Sequence, residues 1–210
     1  MVRDDSSTCR LLDLASQGEL GAADELLTRH RGRLRRMVAL RIDPRVAARI
    51  DPSDVVQDAL LEASHKLPEY LGTRPVSFYP WLRQIAWERL IDLHRRHLVA
   101  ERRTVRREEP LGMGLSNTSA TMLAKGFLAS GSHPSRRLLH EELCRRIQSA
   151  LAALGGKDRE VLLLRYLEQL STCEIAAVLG ISEGAVKGRH RRAIQKLAEL
   201  LEDDDPRQAQ

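Results

Sequence analysis

Residues 171–197 read STCEIAAVLGISEGAVKGRHRRAIQKL. Apolar side chains recur at helical spacing up to Leu179, Gly180 follows them, and a second helical stretch then carries the basic side chains. A residue just after a helix often needs a positive φ, which glycine adopts without steric cost. The segment therefore predicts two short helices joined by a tight turn, the layout of a helix-turn-helix that reads DNA.

Two serines mark where these helices begin. Ser171 and Glu174 have the S-x-x-E spacing of a capping box. Ser182 is predicted to be the N-cap of the second helix, where its hydroxyl accepts a hydrogen bond from a backbone N–H. The apolar residues that would pack the two helices share one face of each: Ile175, Ala176 and Leu179 in the first, and Val186, Ala193 and Leu197 in the second.

The second helix would leave a row of basic side chains on its outer surface. Guanidinium groups can form paired hydrogen bonds with guanine edges or phosphates, so this row favours DNA as the partner. An amphipathic core helix with a solvated basic face is the alternative interpretation of the same pattern. The row comprises Lys187, Arg189, Arg191, Arg192 and Lys196.

Composition and charge favour the same class of partner. The 210 residues, 42% of them hydrophobic, are enough for one or two small globular domains. The 34 basic residues outnumber the 29 acidic ones, and the net charge of +5 favours a polyanionic partner. The basic charge is concentrated in residues 89–107, whereas residues 202–205 form an acidic tail.

Several other classes of protein are not indicated. The cysteines, Cys9, Cys144 and Cys173, include no C-x-x-C pair, so we expect neither a disulfide framework nor a zinc site, and a cytoplasmic location fits best. No apolar run approaches the roughly 18 residues of a membrane span, so membrane insertion is not expected. A Ser-His-Asp set, a phosphate-binding glycine loop and paired catalytic carboxylates do not stand out. We therefore expect a binding protein that has no catalytic residues, metal or cofactor.

Nearly every organised stretch has a period close to 3.6, which predicts an all-α protein of two helical domains joined by a flexible linker. The linker is predicted from its Gly, Ser and Thr content and its low charge. Helices are predicted within 11–42, 53–67 and 78–107, and then within 138–154 and 157–169 before the helix-turn-helix. The predicted boundaries are 1–108 for the first domain, 109–136 for the linker, 137–203 for the second domain and 204–210 for the tail.

Aromatic residues make up only 3% of the chain, yet Phe78, Tyr79, Trp81 and Trp87 lie within one short stretch. They could form a buried core or a platform on which unpaired bases stack, and the pattern leaves both interpretations open. Residues 70–75, which read YLGTRP, are predicted to form a turn-rich loop that walls a pocket for a base flipped out of the duplex.

Two parts of the chain resemble the extracytoplasmic-function (ECF) group of bacterial RNA polymerase sigma factors. In the first, DPSDVVQDALLEASHKL (51–67) is similar to the family's helix that binds the polymerase clamp, and FYPWLRQIAWERLIDLHRR (78–96) is similar to its promoter-melting and minus-ten-reading helix. In the second, residues 159–197 resemble region four, which reads the minus-thirty-five element. The resemblance spans most of the chain, and both motifs in this order are more specific than one helix-turn-helix.

The resemblance assigns three sets of residues by position. In the clamp set, Asp54, Asp58 and Glu62 recur every four residues, which suits a basic partner helix. The implied contacts are Asp54, Val55, Gln57, Asp58 and Glu62 with core polymerase; Tyr70, Phe78, Trp81, Gln84, Glu88, Arg89, Arg95 and Arg96 with the minus-ten element; and Ser182, Lys187, Arg189, Arg191 and Arg192 with the minus-thirty-five element.

Two positions depart from the family pattern. Glu88 stands where many members have Asn, and a carboxylate repels phosphate but accepts from a cytosine amino group, so the minus-ten sequence read here is expected to differ. His190 replaces an apolar residue of the recognition helix, and we expect it to be partly buried and without a catalytic role.

The resemblance implies core RNA polymerase and promoter DNA as partners, allows an inhibitory anti-sigma factor, and implies a monomer when the protein is free. Two other classes stay open. A stand-alone helix-turn-helix regulator would use residues 1–108 for sensing or dimerisation, but it leaves the aromatic and arginine cluster without a purpose. An enzyme acting on nucleic acid would need metal-binding carboxylates near the DNA surface.

Overall fold

The computed structural model describes residues 5–42, 49–101 and 137–203. Within these ranges the regular structure is helical and contains no strand, which confirms the predicted all-α class. The chain divides into two compact units, Met1–Glu109 and Pro110–Gln210. The predicted linker at 109–136 and the predicted tail at 204–210 lie outside the described residues.

The first unit contains four described helices, α1 (Ser6–Ser16), α2 (Ala22–Arg41), α3 (Pro52–Thr73) and α4 (Phe78–Glu101). Helices α2 and α4 pack on α3 and on each other, and α1 packs against α2 and α3. Their apolar stripes meet in a core that excludes water, which is the main stabilising contribution to such a bundle. Fully buried core residues include Leu26, Leu34, Met37, Val56, Ala59, Leu82 and Leu90.

Helix α3 begins as its sequence suggests but ends later than predicted. Asp51 is its N-cap, accepting a hydrogen bond from the Ser53 N–H at 2.7 Å, and Pro52 occupies the first helical turn. The pKa of Asp51 lies below its usual value, chiefly because of this backbone hydrogen bond. The helix runs to Thr73, where Arg74 ends it with a left-handed φ of 38° and donates its N–H to the Tyr70 carbonyl at 2.7 Å.

The predicted turn-rich loop at 70–75 is therefore wrong for residues 70–73, which are helical. Tyr70 continues the buried stripe formed by Ala63 and Leu67 and is only 2% exposed. Gly72 and Thr73 are poor helix formers, and each costs the helix roughly 1 kcal/mol relative to alanine. Burial of the large aromatic ring of Tyr70 outweighs this cost. Only residues 74–77 connect α3 to α4.

The second unit contains α5 (Arg137–Ala153), α6 (Gly156–Leu162), α7 (Thr172–Leu179) and α8 (Glu183–Asp203), which confirms the four predicted helices. Helix α6 passes directly into one π-helical turn, Leu163–Leu167, that the periodicity did not indicate. Helix α8 packs against α5, α6 and α7. The buried cluster that joins α5, α6, the π turn and α8 contains Ile147, Ala150, Leu151, Leu154, Leu162, Leu163, Ala193 and Leu197.

Arginine side chains hold two helix ends in this unit. Arg159 donates to the carbonyls of Ala152 and Leu154, at 2.6 and 2.7 Å, and so satisfies the C-terminus of α5. Arg146 of α5 donates to the Leu201 carbonyl near the end of α8 at 2.6 Å. A cation at a helix C-terminus also interacts favourably with the helix dipole. Across the described parts of the chain, no helix is both long enough and apolar enough to span a membrane.

Candidate functional site

The helix-turn-helix of the second unit has the predicted local geometry. Ser171 Oγ accepts from the Glu174 N–H at 3.2 Å, and the Glu174 carboxylate accepts from the Ser171 N–H at 2.8 Å, which completes the capping box. Gly180 adopts a left-handed φ of 62° and donates its N–H to the Ala176 carbonyl. The turn thus depends on glycine at this position.

The second helix of the motif, α8, presents its basic residues as predicted. Ser182 Oγ accepts from the Ala185 N–H at 3.2 Å, so this hydroxyl is used as the helix cap. Val186, Ala193 and Leu197 are at most 7% exposed, which confirms the predicted inward face. On the rest of the helix, Lys187, Arg191, Arg192 and Lys196 are exposed and Arg189 is half-buried.

His190 lies on the inward side of α8 and has a polar neighbour there. Its Nε2 lies 3.1 Å from the Tyr166 hydroxyl, and the two ring centroids are 5.7 Å apart. Its pKa lies below the usual value, first because partial burial disfavours the charged ring and second because the Arg165 charge is close. The expected partly buried histidine is confirmed.

Tyr166 is a neighbour of the recognition helix that the sequence pattern did not single out. It lies in the π turn and is 41% exposed. The signal that could have indicated such a neighbour is the register of His190, which is four residues after Val186 and three before Ala193. A histidine in an apolar row needs a hydrogen-bonding partner, but the partner's identity depends on the tertiary packing.

In the first unit, part of the predicted polymerase-binding set lies on the outer face of α3. Asp54, Gln57 and Asp58 are exposed. Val55, however, is 1% exposed and packs in the core, because it shares the buried stripe of α3 with Ala59. Its predicted direct contact with polymerase is therefore at odds with its burial in the free chain.

Glu62, which was also assigned to polymerase, points towards α4. Its carboxylate pairs with the Arg89 guanidinium of α4 and with Lys66 one turn later, where the Nζ to Oε1 distance is 2.6 Å. The pKa of Glu62 lies below its usual value, chiefly through the Lys66 hydrogen bond; partial burial opposes this effect and Arg89 adds to it. The pKa of Lys66 is raised by the same hydrogen bond.

The aromatic residues form one packed group in which the exposure differs between rings. Tyr70 and Trp81 are stacked, with centroids 4.4 Å apart and an interplanar angle of 28°. Tyr70 also donates its hydroxyl to the Val76 carbonyl at 2.8 Å, and Phe78 packs 5.5 Å from Trp81. Tyr70, Phe78 and Tyr79 are at most 2% exposed, so these three are core residues, whereas Trp81 is half-buried.

Burial therefore separates the predicted minus-ten residues into two groups. Tyr70 and Phe78 are buried and pack edge to face with ring centroids 5.6 Å apart, so neither offers a free ring surface. The accessible residues share one face of α4, where Gln84 Nε2 donates to Glu88 Oε1 at 2.8 Å. That face carries Trp81, Gln84, Glu88 and Asp92, and it leads to exposed Arg95 and Arg96.

Two arginines of α2 pack on aromatic rings, which the sequence pattern did not indicate. The Arg33 guanidinium carbon lies 3.7 Å from the Tyr79 ring centroid, and that of Arg41 lies 5.5 Å from the Trp87 centroid. These cation–π contacts join α2 to α4. Among the described residues, no group of three or more His, Cys, Asp and Glu side chains is placed to hold a metal ion.

Two family models match the chain at the two units just described. Residues 26–98 match "Sigma-70 region 2", and residues 144–197 match "Sigma-70, region 4". The first match covers α2 to α4, and the second covers the helix-turn-helix and the helices that support it.

Individual relatives are similar along most of the chain. The RNA polymerase sigma factor CnrH of Cupriavidus metallidurans is 34% identical over 154 residues, which are 73% of this chain and 75% of CnrH. The ECF RNA polymerase sigma-E factor of Escherichia coli K12 is 28% identical over 183 residues, 87% of this chain and 88% of that protein. The solved structure of CnrH in complex with the cytosolic domain of CnrY has a TM-score of 0.52 at 28% identity and covers 95% of this chain and 100% of that chain.

Proposed function

The chain belongs to the ECF family of RNA polymerase sigma factors, and from that premise we propose that it binds core RNA polymerase and directs transcription initiation at specific promoters. The observation that carries the proposal is the presence of two separate accessible reading surfaces. One is the basic surface of α8, and the other is the face of α4 that contains Trp81. A chain that recognises two promoter elements needs two such surfaces.

Helix α3 is proposed to supply the contact with core polymerase. Asp54 and Asp58 are exposed one turn apart on its outer face, with Gln57 between them. Carboxylates in this arrangement attract a partner helix with basic side chains and set its orientation. Glu62 contributes indirectly, because its ion pair with Arg89 joins α3 to α4.

Helix α4 is proposed to read the melted minus-ten element. The half-buried ring of Trp81 stacks on the buried ring of Tyr70, and this contact fixes its position. An unpaired base that stacks on such a ring gains about 1 to 3 kcal/mol, which offsets part of the cost of strand opening. Gln84 and Glu88 follow on the same face and are proposed to distinguish base edges, while the exposed Arg95 and Arg96 are proposed to contact phosphates.

Helix α8 is proposed to read the minus-thirty-five element in the major groove. Lys187, Arg191 and Arg192 are exposed on the helix that the capped Gly180 turn positions. Each good bidentate contact with a base would contribute about 1 to 3 kcal/mol of discrimination. The DNA contacts of α4 and α8 add to each other only when polymerase holds both helices at the spacing of the two promoter elements. The free protein is therefore proposed to bind promoters weakly.

The chain is proposed to act as a monomer in the cytoplasm, by binding and without catalysis. An inhibitory protein partner is proposed by analogy with CnrH, whose solved structure is a complex with the cytosolic domain of another protein.

Binding of core polymerase by the fluorescently labelled full chain tests this function. The Asp58→Lys variant is expected to bind at least tenfold more weakly, because a lysine repels a basic partner. Glu199→Lys, a reversal at an exposed glutamate of the second unit, is the matched control and is expected to bind as the native chain does. Equal binding by the native chain and Asp58→Lys would show that this face of α3 does not contact core polymerase.

A further inference from the structure

The first residue of the connection between α3 and α4 has a backbone conformation that its side chain disfavours. Arg74 has a φ of 38°, in the left-handed region that glycine adopts without steric cost and that residues with a Cβ rarely adopt. Such residues persist where the surrounding contacts fix them, and they cluster at functional sites. The contacts of Arg74 therefore indicate what its conformation is for.

The Arg74 side chain reaches across to helix α1. Its Nη1 donates to Asp13 Oδ1 at 3.1 Å, which makes an ion pair, and its Nη2 donates to the Leu12 carbonyl at 3.2 Å. A planar guanidinium that binds two acceptors at once is fixed in orientation as well as in position. This bridge joins the end of α1 to the connection that precedes α4, although Asp13 and Arg74 are 61 residues apart in sequence.

The backbone of Arg74 is bonded to the aromatic group that includes Trp81. Its N–H donates to the Tyr70 carbonyl at 2.7 Å, and the Tyr70 hydroxyl donates to the Val76 carbonyl at 2.8 Å. The Tyr70 ring also stacks on Trp81, with the centroids 4.4 Å apart. A continuous set of contacts therefore runs from α1 through Arg74 and Tyr70 to the ring that is proposed to stack with a melted base.

A second set of contacts joins α1 to the first turn of α4. The buried Thr8 hydroxyl of α1 lies 3.3 Å from Nε2 of His30, a buried residue of α2. The His30 ring centroid is 5.3 Å from that of Phe78 and 5.7 Å from that of Tyr79. Phe78 in turn packs 5.5 Å from Trp81. Helix α1 is thus connected to the start of α4 both through α2 and through Arg74.

We infer that Arg74 is a positioning residue for the reading surface of α4, and that Asp13 of α1 fixes it so that the ring of Trp81 is correctly placed. The inference rests on the proposed function for the role of Trp81, and it adds α1 to the elements on which minus-ten recognition depends. Arg74 and Asp13 act through the Tyr70 ring and not by contacting a base. Because their ion pair is partly exposed to solvent, its loss is expected to reduce promoter opening by about two- to fivefold.

The Arg74→Gly variant separates positioning from folding. Glycine adopts the left-handed φ without strain, so the urea unfolding midpoint should stay close to the native value while the bridge to α1 is lost. Fluorine NMR of the full chain labelled with fluorotryptophan reports on Trp81 and on Trp87, the other tryptophan of the chain. We expect Arg74→Gly and Asp13→Ala to shift or broaden the Trp81 resonance and to leave the Trp87 resonance unchanged.

Promoter opening with core polymerase is the second readout, at a start site found by sequencing transcripts from a genomic library. Arg74→Gly and Asp13→Ala should each reduce permanganate reactivity by about two- to fivefold. The charge exchange that combines Asp13→Arg with Arg74→Asp should recover part of the loss, since it restores an ion pair and aspartate tolerates a left-handed φ. Glu19→Ala, at an exposed acidic residue just after α1, is the matched control and should behave as the native chain does.

Contrary outcomes separate the inference from the proposed function. If Arg74→Gly and Asp13→Ala leave the Trp81 resonance and promoter opening unchanged, the inference is wrong and the proposed function stands. If both tryptophan resonances change and the unfolding midpoint falls, Arg74 only stabilises the fold, and the inference is overturned. If the native chain opens no promoter with core polymerase, the proposed function is wrong, and the fluorine spectra alone then decide whether Arg74 positions the ring.

Discussion

Arg89 of α4 and Glu62 of α3 form an ion pair, although the family resemblance assigns them to different surfaces. The arginine was assigned to promoter DNA and the glutamate to core polymerase. Their pairing means that each neutralises part of the other's charge and that the two helices are fixed to each other. Residues implied in two separate recognition events are thus paired with each other in the free chain.

Replacing Glu62 with Gln should reduce the stability of the first unit by about 1 kcal/mol or less, because the pair is partly exposed to solvent. The folded-state pKa of Glu62 is below its usual value of 4.5, so the stabilisation is present above that pH and is lost as the pH falls. Urea unfolding followed by tryptophan fluorescence isolates this unit, since both tryptophans, Trp81 and Trp87, belong to it. The difference between the native chain and Glu62→Gln should shrink in acid; a difference that grows in acid would contradict the assignment.

Replacing Trp81 with Ala should impair promoter opening by about tenfold or more, because one base no longer has a ring on which to stack. Permanganate reactivity of unpaired thymines in the complex with core polymerase measures the opening. Trp81→Phe should retain part of the activity, since it keeps an aromatic face. Equal reactivity with the native chain and Trp81→Ala would show that this ring does not stack with a melted base.

Tyr70→Ala should act differently from Trp81→Ala because Tyr70 is a core residue. Removal of a buried aromatic ring typically costs about 3 to 5 kcal/mol, and the hydrogen bond to the Val76 carbonyl disappears as well. We expect a much lower unfolding midpoint in urea. A Tyr70→Ala variant with native stability but impaired promoter opening would show instead that the ring contacts DNA directly.

Replacing Lys187 or Arg191 with Ala should weaken binding of minus-thirty-five duplexes. The slope of log affinity against log salt should also fall by about one for each phosphate that the variant no longer neutralises. Arg191→Ala should relax base preference as well if its guanidinium reads a base edge. Lys157→Ala, at an exposed lysine of α6, serves as the matched control. An unchanged salt slope in both recognition-helix variants would contradict binding of DNA through α8.

The second unit should lose stability as the pH falls below about 6.5. The folded-state pKa of His190 is below that of the unfolded chain, so acid favours the unfolded state, which binds the proton more readily. His190→Leu removes the titrating group and should flatten this part of the pH profile. Urea unfolding followed by circular dichroism at several pH values measures it, and an identical profile in His190→Leu would assign the effect elsewhere.

Local patterns predicted the parts of the fold that depend on neighbours in sequence. The capping box of Ser171 and Glu174, the left-handed Gly180 and the inward row of α8 all follow from spacings of a few residues. The basic surface of α8 was predictable for the same reason, because what is not buried on an amphipathic helix must face outward.

The features that the sequence did not reveal depend on packing between helices. Turn-forming residues after Tyr70 predicted a loop, but burial of its ring under Trp81 prolongs α3. The spacing of four residues predicted that Glu62 contacts the same partner as Asp54, but the Glu62 carboxylate pairs with Arg89 of the neighbouring helix instead. Such outcomes require knowledge of which helix faces which, and one sequence does not contain that information in its local periodicity.

Transcription in vitro by purified bacterial core polymerase on a genomic fragment library, with and without this protein, tests the central claim most directly. Sequencing the 5′ ends should reveal new start sites that share two upstream elements at fixed spacing, and Arg191→Ala and Trp81→Ala should reduce their use. Absence of new starts, together with absence of binding to core polymerase, would contradict the account and leave a stand-alone DNA-binding regulator as the explanation of the helix-turn-helix.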